Sequence, residues 1–441
     1  MRVIQNSCQR CWIALLVSPV LVLALRFGRA DEVDSSSAGR DGQLTVHKEL
    51  YLAYPRKAGR GHIFKTQAIS YTSLDGSSLL ELWHAPIVDG TPTWHLQHYL
   101  RRSEDNGRTW SASKPFMPLE KVPDGVIRRD NVLFFLDPDN GLLLLVYHKM
   151  HNTDRNENLE NTINCYRISR DGGKTWEAEQ EIIQQGDQYD REHWARDVEM
   201  GKYAGMIAGV VHMEKTADGT LLLPCQMRGR GRHFKQAVFL GKWRKDLSGI
   251  DWDVGEYVAV PRHKSSRGVF SGTVAPLVDG RIMLVMRGSS KGTDLPGDVQ
   301  WVTVSKDGGQ TWQAAWPLSY EDGSTVWSSS SSPRLLRSSK NGRLYLTTHI
   351  VPEPGFVPRQ PLCIAEVDED TLCIRRSTVT VISQKQPSEP AIAAKVTHEY
   401  RAALEDRVTG NLVFFVFAGW GAGSYPGTLP VFRCEVDVAA P

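Results

Sequence analysis

Net charge is nearly absent from this 441-residue chain: 52 lysines and arginines stand against 50 acids. Removing residues 1–30 would take four arginines and no acid, leaving 48 bases against 50 acids. Phosphate tracking needs a basic face, so this balance argues against nucleic acid as a partner, and any anion must be met by local geometry. Cysteine is equally sparse. Beyond residue 30 there are five, Cys165, Cys225, Cys363, Cys373 and Cys434, with no zinc-ribbon or C-x-x-C spacing. Five is odd, so at most two disulfides can form, and buried thiols are as good a reading as bridges. Long periodic helices are missing, the available candidates being short stretches such as residues 191–206. The apolar run at 11–25 is short for a membrane span. With Arg2 and Arg10 before it and Phe27-Gly28-Arg29-Ala30 after it, residues 1–30 read as a cleavable signal peptide. That implies a secreted or periplasmic protein with no membrane attachment after cleavage. Residues 31–42 read as a flexible lead-in and 43–441 as the folded body.

What the chain does have is repetition. The phrase S-x-D-x-G-x-T-W occurs at 103–110, 169–176 and 305–312. Asp and Gly supply a tight turn, the Asp carboxylate can accept local N–H groups, and Trp is an apolar anchor just beyond. Trp110 and Trp176 lie 66 residues apart and Trp176 and Trp312 lie 136 apart, so one copy has been lost between them. Trp243, 67 residues after Trp176, marks the expected end of that lost copy.

A second period runs independently. Turn glycines at 76, 141, 219, 280, 342 and 410 each precede a short apolar run, at intervals of 65, 78, 61, 62 and 68 residues. A turn followed by a β-rich run is a hairpin signal. Six units, each with room for four strands, predict an all-β, six-bladed propeller, because radial stacking shields sheet edges and buries their faces.

The repeated phrase is the Asp-box, and the chain resembles the sialidase (neuraminidase, BNR-repeat) superfamily over nearly its whole mature length. The boxes themselves speak for architecture rather than chemistry. The resemblance implies three carboxylate-binding arginines, a Tyr nucleophile paired with a Glu, and an acid/base Asp. Lys65 stands where the first arginine belongs and lacks its bidentate fork. Arg287 and Arg359 match the second and third. Tyr400, ten residues before Gly410, matches the nucleophile, with Glu399 beside it. The family Glu meets Ser271-Gly272-Thr273-Val274 instead, and Asp89 is the candidate acid/base.

Seven to nine residues beyond each turn glycine stand His84, His148, Arg228, Arg287, His349 and Phe417. If these strand ends converge on a central channel, they form a basic funnel suited to a carboxylate or sulfate on a sugar. Asp130 and the 398–401 cluster are expected to face the channel, Arg230 and Arg232 to decorate its rim, and Trp194 and Trp420 to offer stacking platforms. No cofactor is implied. Zinc is the minor reading, because the three histidines lack local ligand spacing. The expected partner is an acidic oligosaccharide or polysaccharide. Hydrolysis is the leading reaction; the alternatives are a lyase using Tyr147, His84 or His148 as base with arginine neutralising a uronate, and a non-catalytic glycan-binding propeller.

Overall fold

A computed structural model describes residues 44–55, 65–86, 96–153, 161–202, 205–206, 212–228, 233–356, 359–386, 397–418 and 428–439. All six turn glycines sit at positive φ, between 69° and 97°. This conformation is nearly free of strain only without a Cβ, so each glycine reverses the chain into a hairpin. Six antiparallel sheets follow.

Blade one comprises Lys65–Tyr71, Leu79–Pro86, Leu96–Ser103 and Lys114–Phe116. Blade two has Gly125–Leu136, Leu143–Thr153, Thr162–Ser169 and Gln180–Glu181, with Glu120–Val122 added beside the first. In blade three the inner position is split between Gly205–Met206 and Glu214–Lys215, both paired to Leu221–Arg228, with Phe234–Trp243 and Ile250–Val254 outside. Blade four has Phe270–Pro276, Ile282–Arg287, Gln300–Ser305 and Trp316–Pro317. Blade five has Arg334–Arg337, Leu344–His349 and Leu362–Asp368, its outer edge shared by Cys373–Ile374 and Thr380–Ser383. Blade six joins His398–Glu405, Leu412–Ala418 and Thr428–Asp437 to a strand from the far end of the chain, Thr45–Pro55. That last pairing runs antiparallel from Thr45 opposite Asp437 to Pro55 opposite Thr428, and it ties the ring shut.

The second strand of each blade is buried on both faces because it lies between neighbouring blades. Every residue of Leu412–Ala418 is buried, as are Leu143 through Tyr147. Such runs are continuously apolar rather than alternating. The inner strand Lys65–Tyr71 packs against both His398–Glu405 and Gly125–Leu136, so blade six meets blade one.

The three Asp-boxes form one hydrogen-bond pattern. Ser103, Ser169 and Ser305 donate to Asp105, Asp171 and Asp307 at 2.8, 2.9 and 2.7 Å, and accept from the N–H of Gly107, Gly173 and Gly309 at 2.8, 2.6 and 2.8 Å. These turns stand beside the inner-hairpin turns, as the 3.0 Å bond from Asn106 N to Ser77 O shows, and so at the opposite end of the blades from the second-strand termini. In blade three the expected position is corrected. Trp243 ends the third strand, where a box would begin, and the turn that follows is closed by Arg244 N to Gly249 O at 2.9 Å. The Trp243 indole donates to Asp137 at 2.7 Å, an acid that Lys215 also grips at 2.8 and 2.9 Å. Residues 191–202 form turns rather than a helix. No helix among the described residues is long and apolar enough to cross a membrane.

Candidate functional site

Four inner strands share a register break at the same level: between Thr66 and Ala68, Asp130 and Leu133, Phe270 and Thr273, and Tyr400 and Ala403. A bulge inserts unpaired residues and re-aims side chains. Asn131 and Ser271 occupy such positions with φ of 48° and 50°. The bulges surround the channel near the second-strand termini, and polar side chains gather there in two groups.

The first group belongs to blades four, five and six. Arg287 ends the second strand of blade four and donates from Nε to Ser330 Oγ at 2.7 Å, its guanidinium 4.7 Å from the Phe270 ring centre. Burial, and then the like charge of Arg359, push the Arg287 pKa down to about 9. Arg359 Nη1 donates to Glu399 Oε1 in a very short ion pair, and His398 N donates to Arg359 O at 3.1 Å. Burial would raise Glu399, but Arg359 and then His349 hold it below the ordinary carboxylate range. His349 is buried, with Nε2 2.7 Å from His398 O, and burial lowers its pKa to about 4. Behind them the buried Asp298 accepts N–H bonds from Ser290 at 2.6 Å and Ser330 at 3.1 Å, while burial raises its pKa.

The second group centres on Asp130, opposite His148 in the blade-two register. Burial would raise its pKa, but His148, Arg128, His84 and His98 beside it hold it far below the usual range. His98 bonds through Nε2 to Arg129 O at 2.7 Å, its ring 5.9 Å from that of His84. Arg401 joins the two groups: it donates to Asn131 Oδ1 at 2.6 Å, and its charge helps keep Glu399 ionised.

Several expectations require correction. Tyr400 does not face the channel. It is 2% exposed, edge-on to Phe414, with its hydroxyl bonded to Thr347, and burial lifts its pKa to about 12. Strand alternation explains this, since Glu399 and Tyr400 point to opposite faces. At the position of the missing family Glu, Gly272 receives Gln236 instead, with its N–H bonded to Oε1 at 2.9 Å. Trp194 is fully buried with its indole bonded to Thr162 O, so it offers no stacking platform. The basic funnel is not uniform either. His84, His148 and His349 are buried, and His349 is neutral near pH 7. Arg228 ends its strand opposite Phe234, whose ring lies 5.3 Å from that of Phe270. The Lys65 backbone pairs with His84. Asp89, Arg230, Arg232 and Trp420 lie outside the described residues.

Arg267 and Asp298 carry no repeat signal in the sequence; only their contacts with Phe270 and Ser330 reveal them. Among the described residues no three His, Cys, Asp or Glu side chains are grouped as metal ligands would be.

The sequence matches the family model described as a BNR repeat-like domain over residues 120–389. No curated protein matches it. Among solved structures it is similar to the NanB sialidase from Streptococcus pneumoniae, with a TM-score of 0.59 and 11% identity over 88% of this chain and 70% of that one. It is similar to the intramolecular trans-sialidase from Ruminococcus gnavus, with a TM-score of 0.56 and 11% identity over 85% of this chain and 96% of that one. A protein of unknown function from Dyadobacter fermentans has a TM-score of 0.56 and 15% identity over 88% of this chain and 99% of that one. Likeness at these identities shows the fold: a six-bladed, sialidase-like propeller.

Proposed function

The chain belongs to the BNR repeat-like family, and from that premise and the geometry of its channel mouth we propose that it is a secreted, sialidase-like glycoside hydrolase acting on an acidic glycan. The observation behind this reading is Arg287 beside Arg359, two guanidiniums close enough for one to depress the other's pKa, with Glu399 ion-paired to Arg359. Such a pair is relieved by an incoming carboxylate or sulfate, which planar guanidiniums bind with two parallel hydrogen bonds. Asp130 supplies an ionised carboxylate as an electrostatic stabiliser of positive charge developing on the sugar. A buried tyrosine with a raised pKa makes a poor nucleophile, so hydrolysis here uses a carboxylate or an activated water in place of Tyr400.

That same burial favours one second reading, a lyase. Arginine would neutralise a uronate carboxylate while an imidazole near Asp130 takes the adjacent proton. Incubation with a panel of acidic glycans, followed by product mass and ultraviolet absorbance, separates the outcomes. A reducing sugar with one added water supports hydrolysis, an unsaturated product supports elimination, and binding without any product overturns both.

A further inference from the structure

On the rim between blades three and four, the loop at 261–268 reads Pro-Arg-His-Lys-Ser-Ser-Arg-Gly, with four basic or titratable side chains and no acid. An ordinary solvated loop would leave those charges free to move apart; this one is pinned. Lys264 N and Ser265 N both donate to Pro261 O, at 3.0 and 2.9 Å. Ser265 is wholly buried, and its hydroxyl donates to Gly268 O at 2.6 Å. Ser266 donates through N and Oγ to Ser289 O at 2.7 and 2.8 Å. Gly268, at φ 75°, runs so close to Phe234 that a Cβ there would lie 2.0 Å from the Phe234 carbonyl oxygen.

The charges on this fixed loop continue into the channel mouth. Arg267 lies 5.6 Å from the Phe234 ring centre and 4.9 Å from that of Phe270. Phe270 also carries Arg287 at 4.7 Å, so one aromatic ring contacts both guanidiniums. On the other side, burial and then the charges of Arg262 and Lys235 lower the pKa of His233, which places those cations around the imidazole. Asp294 meets the loop through its backbone, donating to His263 O at 3.2 Å.

We propose that the pinned 261–268 loop, with Arg262, Lys264 and Arg267, is a second anion-binding stretch that extends the channel mouth outward, so that the ligand is a polyanionic glycan with several charged sugars rather than a single terminal acid. This rests on the channel mouth being the glycan site. A fixed backbone holds the bases of these cationic side chains at set spacing, which reduces the ordering cost of meeting successive anions, and the contribution of such exposed charges is screened by salt.

The test is titration of the whole protein with 3′-sialyllactose, which has one carboxylate, and with a sulfated heparin hexasaccharide, at two salt concentrations. Wild type should bind the hexasaccharide roughly tenfold or more tighter at low salt, with a steeper salt dependence. The Arg262→Ala/Lys264→Ala variant should lose most of that gain, flatten the salt dependence and keep its sialyllactose affinity, with an unchanged melting temperature. Equal loss of both ligands in this variant, or no preference for the hexasaccharide in wild type, would overturn the rim proposal while leaving the site reading intact. Failure of wild type to bind either glycan would overturn both. Equal affinity for an oligonucleotide of matched charge would overturn the assignment to glycans.

Discussion

Arg401 of the sixth blade donates to Asn131 of the second across 2.6 Å, although 270 residues separate them in sequence. Both occupy register breaks in inner strands. The contact spans the first blade and links the arginine group to the Asp130 group, so neither half of the channel mouth is built independently of the other.

Removing either partner should therefore be felt through the other. The variants Arg401→Ala and Asn131→Ala are expected to couple by about 1 kcal/mol in a double-mutant cycle of unfolding, the scale of one charge-assisted hydrogen bond that is partly exposed. Strict additivity in chemical denaturation would show that the bond contributes nothing.

Tyr400→Phe tests the correction to the nucleophile. The substitution removes one buried hydroxyl and its bond to Thr347, so stability should fall by about 1 kcal/mol while turnover of any substrate found changes by no more than about threefold. A loss of several orders of magnitude in kcat, with the fold intact by circular dichroism, would place the phenol at the reacting atoms after all.

Acid sensitivity should be partly traceable to His349. Its pKa in the fold is about 4, against an ordinary value of 6.5, so between those values the unfolded chain binds a proton that the native protein does not. Stability from this residue is complete above pH 6.5 and is lost as pH falls toward 4. The ionised Asp130 and Glu399 act in the same direction at lower pH, so the diagnostic is a difference. His349→Gln should flatten the slope of unfolding free energy between pH 6.5 and 4 by up to about 1.4 kcal/mol per pH unit. An unchanged slope would mean that His349 titrates normally.

The Asp-boxes should prove structural. Gly173 lies at φ 77°, and a Cβ there would sit 2.7 Å from a Leu80 methyl and 3.2 Å from one of Leu143. Gly173→Ala is expected to lower stability by on the order of 2 kcal/mol, visible as a lower melting temperature, with specific activity of the folded fraction retained. Loss of activity without loss of stability would assign the box a chemical role.

What the sequence disclosed, and what it concealed, follows from how local each feature is. A positive-φ turn demands glycine whatever surrounds it, so the six turn glycines and the Ser-Asp-Thr boxes could be read along the chain and counted as blades. Counting from those glycines also led to Arg287 and Glu399, because strand length is nearly constant from unit to unit. The same count could not tell Glu399 from Tyr400, since adjacent strand residues face opposite sides and the bulge after Tyr400 shifts the pattern again. Trp243 misled for a related reason: it matches the spacing but sits before its turn rather than after it. Arg267 and Asp298 depend on contacts between loops, and the closing strand Thr45–Pro55 depends on a partner near the opposite terminus. No local pattern encodes either.

The most direct test of the central claim is the affinity of wild type, Arg287→Ala and Arg359→Ala for paired acidic and neutral forms of one oligosaccharide, measured by calorimetry. Each arginine contributes a charged hydrogen-bonding fork, so each variant should lose about tenfold or more in affinity for the acidic form and almost nothing for the neutral one. Equal affinity of wild type for both forms, or variants that bind the acidic form as well as wild type does, would contradict an anion site at Arg287 and Arg359.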